Sequence, residues 1–196
     1  MSTSRATSPR PSPLSRGDWA DLPRPERRLS DGVVSLREWR DDDVPAIVAI
    51  CSDPEVARFT RVPSPYTEHD AREFLDGGVL EEMSFAIVAA DDEEEVLGSI
   101  GLRDAGEKRG ELGYLVAPHA RGRGVASRAV RLLAKWALTE AGRARVQLYT
   151  HVDNPASQRA AEKAGFRREG VLRAYMLLKG ERHDAVIFGM TPEDLS

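Results

Sequence analysis

A turn rich in glycine and arginine, placed between a strand and a long helix, constrains the fold of this 196-residue chain more than any other feature. The segment 111–116, Glu-Leu-Gly-Tyr-Leu-Val, is predicted to be a strand, and Arg-Gly-Arg-Gly-Val-Ala follows at 121–126. From residue 122 to about residue 141, apolar residues recur with helical spacing. This order predicts a domain that mixes α and β structure and has a specialised turn at the start of its long helix.

The charges at this turn are opposite to those that the start of a helix normally attracts. Its unpaired N–H groups and partial positive charge favour Asp or Glu. Here Arg121, Arg123 and Arg128 occupy the helix start, and no acidic residue lies between Glu111 and Glu140. Local sequence alone therefore indicates that an external anion compensates these charges.

The two glycines of the turn indicate which anion this is. Gly122 and Gly124 would let backbone amides approach it closely, so a bound pyrophosphate accounts for the glycines and the arginines together. The turn lacks the Gly-Lys-Ser/Thr ending of a P-loop. It also lacks the third Gly or Ala of a dinucleotide fingerprint, because Ser127 stands there. The alternative that the glycines only shape a tight turn stays open.

The remaining periodicities predict a mixed order of helices and strands around this turn. Alternating apolar residues indicate strands, and apolar residues at helical spacing behind Asp or Thr caps indicate helices. The predicted strands are 33–36, 84–90, 96–102, 111–116, 146–152, 166–171 and 184–190, and the predicted helices begin after 41–43, at 53, after 67, at 122 and at 154. We expect one α/β (α+β) domain with a mixed, mostly antiparallel sheet of six or seven strands.

The first 30 residues differ in composition from the rest of the chain. They are rich in Ser, Pro and Arg, and such a segment cannot bury enough apolar surface to order itself. Trp19 is the one residue there that we expect could dock. We therefore predict a disordered tail over 1–30 and a folded domain over 31–196.

Composition excludes several classes of partner. The net charge of −4 gives no global attraction to nucleic acid, and no apolar run approaches the roughly 20 residues of a bilayer span. No apolar signal core follows the N-terminus, and the single cysteine, Cys51, excludes an internal disulfide. We expect a cytoplasmic protein without a metal and without a membrane or nucleic-acid partner; a homodimer is compatible with the sequence.

The turn at 121–126 resembles the acetyl-CoA signature of the GNAT superfamily of N-acetyltransferases, Gln/Arg-x-x-Gly-x-Gly/Ala. Further along, Asn-Pro-Ala-Ser at 154–157, Glu-Lys-Ala-Gly-Phe at 162–166 and Glu-Gly at 169–170 resemble the RimJ/RimL branch of that superfamily. The resemblance covers roughly residues 33–190. It implies a GNAT-type sheet that is splayed at its centre and carries helices on both faces.

The resemblance also implies how acetyl-CoA is held. The strands 111–116 and 145–152 splay apart, and the pantetheine arm enters the gap between them. Backbone groups of Leu115 and Val116 pair with the arm, one of their N–H groups serves as the oxyanion donor, and Asn154 contacts the arm. The groups expected around the pyrophosphate belong to Arg121, Gly122, Arg123, Gly124, Val125 and Ala126.

Ser157 is the expected proton donor for the departing CoA thiolate. In the RimL-like enzymes that this chain resembles, the Ser of Asn-x-x-Ser lies near the thioester sulfur. Many other members of the superfamily use a Tyr one helical turn further on, where this chain has Ala161. The alternative that Ser157 only satisfies a backbone N–H at the helix start stays open.

The base and the acceptor cleft are less sharply indicated. Glu111 begins the central strand, where several GNAT enzymes have a Glu that acts through water, although it could equally be a solvent-facing residue. The chain departs from RimL-type enzymes by carrying Met176, with Tyr175 beside it, where they have a Glu. Tyr66 and Tyr175 are expected to line the acceptor cleft, and His151 ends the strand that borders the thioester.

The leading hypothesis is therefore transfer of an acetyl group from acetyl-CoA to a primary amine. The amine could belong to a protein N-terminus, an amino-sugar antibiotic or another small molecule, and the sequence does not choose among them. Two alternatives stay open: a non-catalytic sensor that binds acyl-CoA, and an interaction scaffold with the same fold. Turnover against a panel of amines separates the enzyme from the sensor.

Overall fold

A computed structural model describes residues 23–77 and 83–195; Trp19 lies outside the described residues. The strands of the described part are β1 Leu29–Ser30, β2 Val34–Arg37, β3 Met83–Ala89, β4 Val96–Asp104, β5 Arg109–Val116, β6 Arg145–His151, β7 Arg167–Leu178 and β8 Glu181–Met190. Its α-helices are α1 Val44–Cys51, α2 Pro54–Phe59, α3 Glu68–Leu75, α4 Val125–Thr139 and α5 Pro155–Lys163. Short 3-10 helices cover Asp41–Asp43, Pro118–Ala120 and Pro192–Leu195.

All the described strands join one sheet in the order β1-β2-β3-β4-β5-β6-β8-β7. Within the described residues, β5 and β6 form the one parallel pair, and the other neighbouring pairs are antiparallel. The parallel pair is connected through α4, which gives the β-α-β crossover that parallel strands require. The predicted mixed, mostly antiparallel sheet is confirmed, but it has eight strands rather than six or seven.

The additional strand, β1, comes from the segment that composition assigned to the tail. Leu29 pairs with Leu36 across a hairpin, and its side chain is buried. The guanidinium of Arg28 donates to the Ala90 carbonyl at 3.1 Å. Composition averaged over 30 residues concealed this one apolar residue, so the fold includes residues before the expected boundary at 31.

Polar caps position the small helices α2 and α3 as the sequence predicts. The Asp53 carboxylate accepts from the N–H groups of Glu55 and Val56, which begins α2. The Thr67 hydroxyl accepts from the N–H of Asp70, whose carboxylate accepts from the N–H of Thr67 in return. These caps satisfy the orphan N–H groups of helices too short to be stable alone.

Helices cover both faces of the sheet. Leu112 on β5 belongs to the main core together with Leu133 of α4. Leu115 lies three residues further along the same strand, and side chains an odd number of residues apart point to opposite faces of a sheet. It also packs against a second cluster, which contains Ile47 of α1 and Ala71 of α3. None of the helices in the described residues is long and apolar enough to cross a membrane.

The sheet opens at its centre. β5 and β6 stay in register from Arg109 opposite Arg145 to Leu112 opposite Leu148, and the pairing ends there. β5 itself continues to Val116, still paired with β4. Its last residues consequently have a strand neighbour on one side and a gap on the other, which confirms the expected splay.

Candidate active site

The predicted phosphate turn lies at the start of α4, beside the splay. Gly122 and Gly124 have φ angles of 76° and 78°, a left-handed conformation that costs other L-residues about 1–2 kcal/mol. Gly124 is the N-cap of α4 and has no side chain with which to cap it. The first N–H groups of a helix have no intrahelical acceptor, so this turn is suited to holding an anion.

The structure corrects one premise of the charge argument at this turn. Arg121 pairs with Asp53 at 2.5 Å, Arg123 with Glu95 at 3.2 Å, and Arg128 with Asp31 at 2.6 Å. The compensating acids are distant in sequence, so the local absence of Asp and Glu did not imply uncompensated charge. These pairs are partly exposed and such pairs contribute only about 0–1 kcal/mol each, so a phosphate could compete for the guanidinium groups.

A cavity of about 370 Å³ runs from this turn to the splay. Of the nine residues predicted to bind the cofactor, eight line it: Leu115, Val116, Arg121, Gly122, Gly124, Val125, Ala126 and Asn154. Arg123 does not line it and instead contacts Glu95. The turn, the end of β5 and the start of α5 therefore converge on one cavity.

A larger cavity of about 760 Å³ lies against the other side of the splay. Its walls include the predicted residues Tyr66 and Glu111 and the aromatic side chains of Trp39 and Phe74. Both cavities share a set of lining residues, which we call the junction: Phe59, Thr60, Tyr114, Leu115, Asn154 and Ser157. A molecule in one cavity can therefore meet a molecule in the other at the junction.

Two residues of the junction, Asn154 and Ser157, lie at the start of α5. The Asn154 side chain accepts from the N–H of Ser157 at 3.0 Å, so Asn154 is the helix cap. The Ser157 hydroxyl lies 2.6 Å from the hydroxyl of Tyr114. The alternative that Ser157 only satisfies a helix N–H is therefore wrong for its side chain.

Sequence reasoning missed Tyr114. Burial raises the pKa of its phenol, so the hydroxyl keeps its proton and can donate it in a hydrogen bond. Its single hydrogen has two acceptors within reach on one residue, the Oγ and the carbonyl oxygen of Ser157 at 2.6 and 3.2 Å. Only the position of Tyr114 beside Leu115, on the strand that splays, could have drawn attention to it.

Glu111 lies on the wall of the larger cavity, away from the junction. Its carboxylate pairs with the guanidinium of Arg103 on the neighbouring strand β4. Its side chain is 16% exposed and lines the larger cavity, so it faces solvent only in part. The carboxylate already has a cationic partner, and a role as base requires it to reach the amine through water.

The two predicted acceptor-site tyrosines are placed differently. Tyr66 lines the larger cavity and hydrogen-bonds with the thiol of Cys51, whose pKa burial raises to about 11. Tyr175 is 45% exposed and stacks on Tyr149, with ring centroids 4.7 Å apart. Met176, next to it on β7, lines the cavity in its place.

His151 ends β6 on the wall of the larger cavity and is 9% exposed. Its ring contacts those of Phe59 and His183, with centroid distances of 5.4 and 4.9 Å. Burial, reinforced by the neighbouring His183 and by Arg58, lowers its pKa against the opposing effect of two carboxylates. No group of three His, Cys, Asp or Glu residues within 23–77 and 83–195 is arranged to hold a metal ion.

A mixed sheet that splays beside a glycine-rich helix start is the architecture expected of a GNAT N-acetyltransferase. The sequence model of the family "Acetyltransferase (GNAT) domain" matches residues 34–167. The chain belongs to this family and is an acetyl-CoA-dependent N-acetyltransferase.

Known proteins resemble this chain in sequence or in fold. It is 29% identical to the uncharacterized N-acetyltransferase YoaA of Bacillus subtilis, over 79% of this chain and 91% of YoaA. A GNAT-family acetyltransferase structure from Bacillus anthracis has a TM-score of 0.77 at 23% identity, covering 85% and 99% of the two chains. RimL, the ribosomal L7/L12 alpha-N-protein acetyltransferase solved with coenzyme A, has a TM-score of 0.73 at 19% identity, covering 84% and 98%.

Proposed function

We propose that the chain transfers the acetyl group by direct attack of a primary amine in the larger cavity on a thioester that reaches the junction from the smaller one. The observation that carries this proposal is the shared wall of the two cavities at Tyr114, Leu115, Asn154 and Ser157. Direct attack needs both reactants within about 3–3.5 Å of each other, which two cavities with a common wall permit.

The residues of the smaller cavity fit acetyl-CoA. Gly122 and Gly124 have no side chains that would block an anion from the amides at the helix start. Arg121 can add a charge-assisted contact to the pyrophosphate when its pair with Asp53 opens. The end of β5, from residue 113 to Val116, offers backbone groups to the amides of the pantetheine arm.

The chemistry requires a proton for the departing thiolate and a donor for the oxyanion. Ser157 is our proposed proton donor, because its hydroxyl lies at the junction and is not used to cap α5. A backbone N–H of Leu115 or Val116 is the proposed oxyanion donor. Glu111 is the proposed base and would act through a water molecule, because Arg103 already contacts its carboxylate.

The acceptor is a primary amine of a small molecule or of a protein N-terminus. RimL is named for acetylating a protein N-terminus, which makes peptides a natural first group of candidates. The cavity of about 760 Å³ is within the usual range of small-molecule sites, so amino sugars and small amines belong in the same panel. A cytoplasmic location, the lack of a nucleic-acid or membrane partner, and a homodimer remain predictions from composition.

The test is acetyl-CoA turnover by the purified chain against a panel of amines. Release of free CoA that depends on a particular amine, together with the acetylated product by mass spectrometry, supports the proposal. Stabilisation by CoA without turnover of any amine, for a panel that includes peptides, amino sugars and diamines, would instead support the sensor. Binding of a protein without acetylating it, lost on removal of residues 1–22, would support the scaffold.

A further inference from the structure

The environment of His151 determines which of its ring nitrogens carries the proton. Its Nδ1 accepts a hydrogen bond from the backbone N–H of Asp153 at 3.0 Å. In a neutral imidazole one nitrogen accepts and the other donates, so the proton of His151 is on Nε2.

The Nε2–H of His151 is free of hydrogen-bond partners in the described part of the chain. The rings of Phe59 and His183 pack close to His151, and Nδ1 is bonded to the backbone. Within the described residues, Nε2 has no hydrogen-bond partner. It is also not one of the fully buried polar atoms that lack a partner, so it keeps some access to the space around it. Since His151 lines the larger cavity, a nine-tenths buried residue presents a fixed N–H donor there.

The backbone of His151 is tied to Asn154, a residue of the junction. The carbonyl of His151 accepts from the N–H of Asn154 at 2.9 Å and from the Gln158 side chain at 3.3 Å. Asn154 in turn holds the N–H of Ser157. His151 and the junction therefore border the same cavity, the one in which the acceptor amine is proposed to bind.

We propose that His151 selects acceptors that carry an oxygen close to the amine, namely α-amino amides such as peptide N-termini. This inference rests on the proposed function. The attacking nitrogen needs its lone pair for the thioester carbon, so it cannot also accept from Nε2–H. A carbonyl oxygen on the carbon next to the amine-bearing carbon can accept. An alkylamine offers no such oxygen and leaves the donor unpaired in the cavity, which costs binding.

The matched substrates are leucinamide and 3-methylbutylamine, which share a branched side chain and differ in the carboxamide. The quantity measured is the ratio of their kcat/KM values, compared between wild type and variants so that the different basicities of the amines cancel. His151→Asn keeps an acceptor near the position of Nδ1 but lacks a donor at the position of Nε2. His151→Gln restores an N–H donor at about that reach.

We expect His151→Asn to lower the ratio about 10-fold, the loss of one hydrogen bond of about 1.4 kcal/mol, and His151→Gln to recover most of it. Melting temperatures and CoA-induced shifts confirm that each variant is folded and binds cofactor. An unchanged ratio in folded His151→Asn overturns the inference while the proposed function stands. Absence of turnover with any amine, despite a CoA shift, defeats the proposed function and the inference together.

Discussion

The hydroxyl of Tyr114 on β5 lies 2.6 Å from the hydroxyl of Ser157 on α5, at the point where the two cavities meet. Tyr114 keeps its proton because burial raises its pKa. If that proton is donated to Oγ of Ser157, the hydrogen of Ser157 is free to point into the junction. Tyr114 then acts as a positioning residue for the proposed proton donor.

We expect Ser157→Ala to lower turnover about 100- to 10,000-fold with acetyl-CoA binding nearly unchanged, because a general acid contributes about that much. Tyr114→Phe should lower turnover less, and should add nothing when combined with Ser157→Ala. Steady-state kinetics of both single variants and the double variant measure this. Thr139→Ala, which removes a helix hydroxyl far from the junction, is the control. Additive losses would show that the two hydroxyls act independently.

Gly124→Ala should abolish or strongly weaken the stabilisation by CoA. At 100 times its dissociation constant, a ligand that binds only the folded state adds about 2.7 kcal/mol. The control is Gly142→Ala, since Gly142 also has a left-handed φ, 66°, and open space for a Cβ, but follows the far end of α4. Both variants should melt lower without ligand. A normal CoA shift in Gly124→Ala would refute the pyrophosphate assignment.

Thr150→Val should raise the free energy of unfolding by about 1 kcal/mol. The Thr150 hydroxyl is buried and has no hydrogen-bond partner within the described residues, and such a group costs about 1–3 kcal/mol. Valine keeps the shape and removes the polar group. Thr150→Ser keeps the hydroxyl, loses a buried methyl group and should be destabilising. Urea unfolding of the wild type and the two variants measures their free energies of unfolding. A less stable valine variant would mean that a water molecule hydrogen-bonds to the Thr150 hydroxyl.

Stability should fall as the pH drops below about 6.5, before the carboxylates titrate. The pKa of folded His151 is lowered by burial, His183 and Arg58, and raised less by Asp153 and Asp184. The unfolded chain therefore binds the proton of His151 first, and stability is lost between the unfolded pKa and the lower folded pKa. Melting temperatures from pH 7.5 to 5.5 test this. The decline should be weaker in His151→Gln, and an equal decline would assign it to other groups.

Removal of residues 1–22 should leave both stability and acetyl transfer unchanged, because the composition of that segment argues against packing. Removal of residues 1–31 should destabilise the domain by at least about 2 kcal/mol. That deletion exposes the surface that the buried Leu29 covers and removes the partner of Arg128, Asp31. Thermal melting and turnover of the two truncations provide the measurement. Loss of activity in the shorter deletion would show that the tail takes part in function.

The sequence predicted the fold well where local signals were strong. Caps at Asp53 and Thr67 and the glycine pair at 122 and 124 each depend on neighbours within a few residues, and each has its predicted structure. The hairpin that contains Leu29 was not predicted, because a strand of two residues is too short to show an alternating pattern. Ser157, which a local motif placed beside the proposed cofactor site, lines the smaller cavity.

What the sequence could not show are contacts between distant segments. The carboxylates of Asp53, Glu95 and Asp31 reach the arginines of the turn from three other parts of the chain. The pairing of Tyr114 with Ser157 spans 43 residues. No pattern in a single sequence reports which side chains the topology brings together, so the charge balance and the partner of Ser157 needed the structure.

The opening between β5 and β6 after Leu112 amounts to an edge strand placed in the interior of a protein. An exposed edge with unpaired backbone groups invites other chains to add a strand and aggregate. Unlike the outer edge of a sheet, this edge covers only residues 113–116, and residues of α2 and α5 line the cavity beside it. So short and confined an edge favours a thin ligand with amide groups over another protein strand. The geometry that suits such a ligand therefore also disfavours edge-to-edge association.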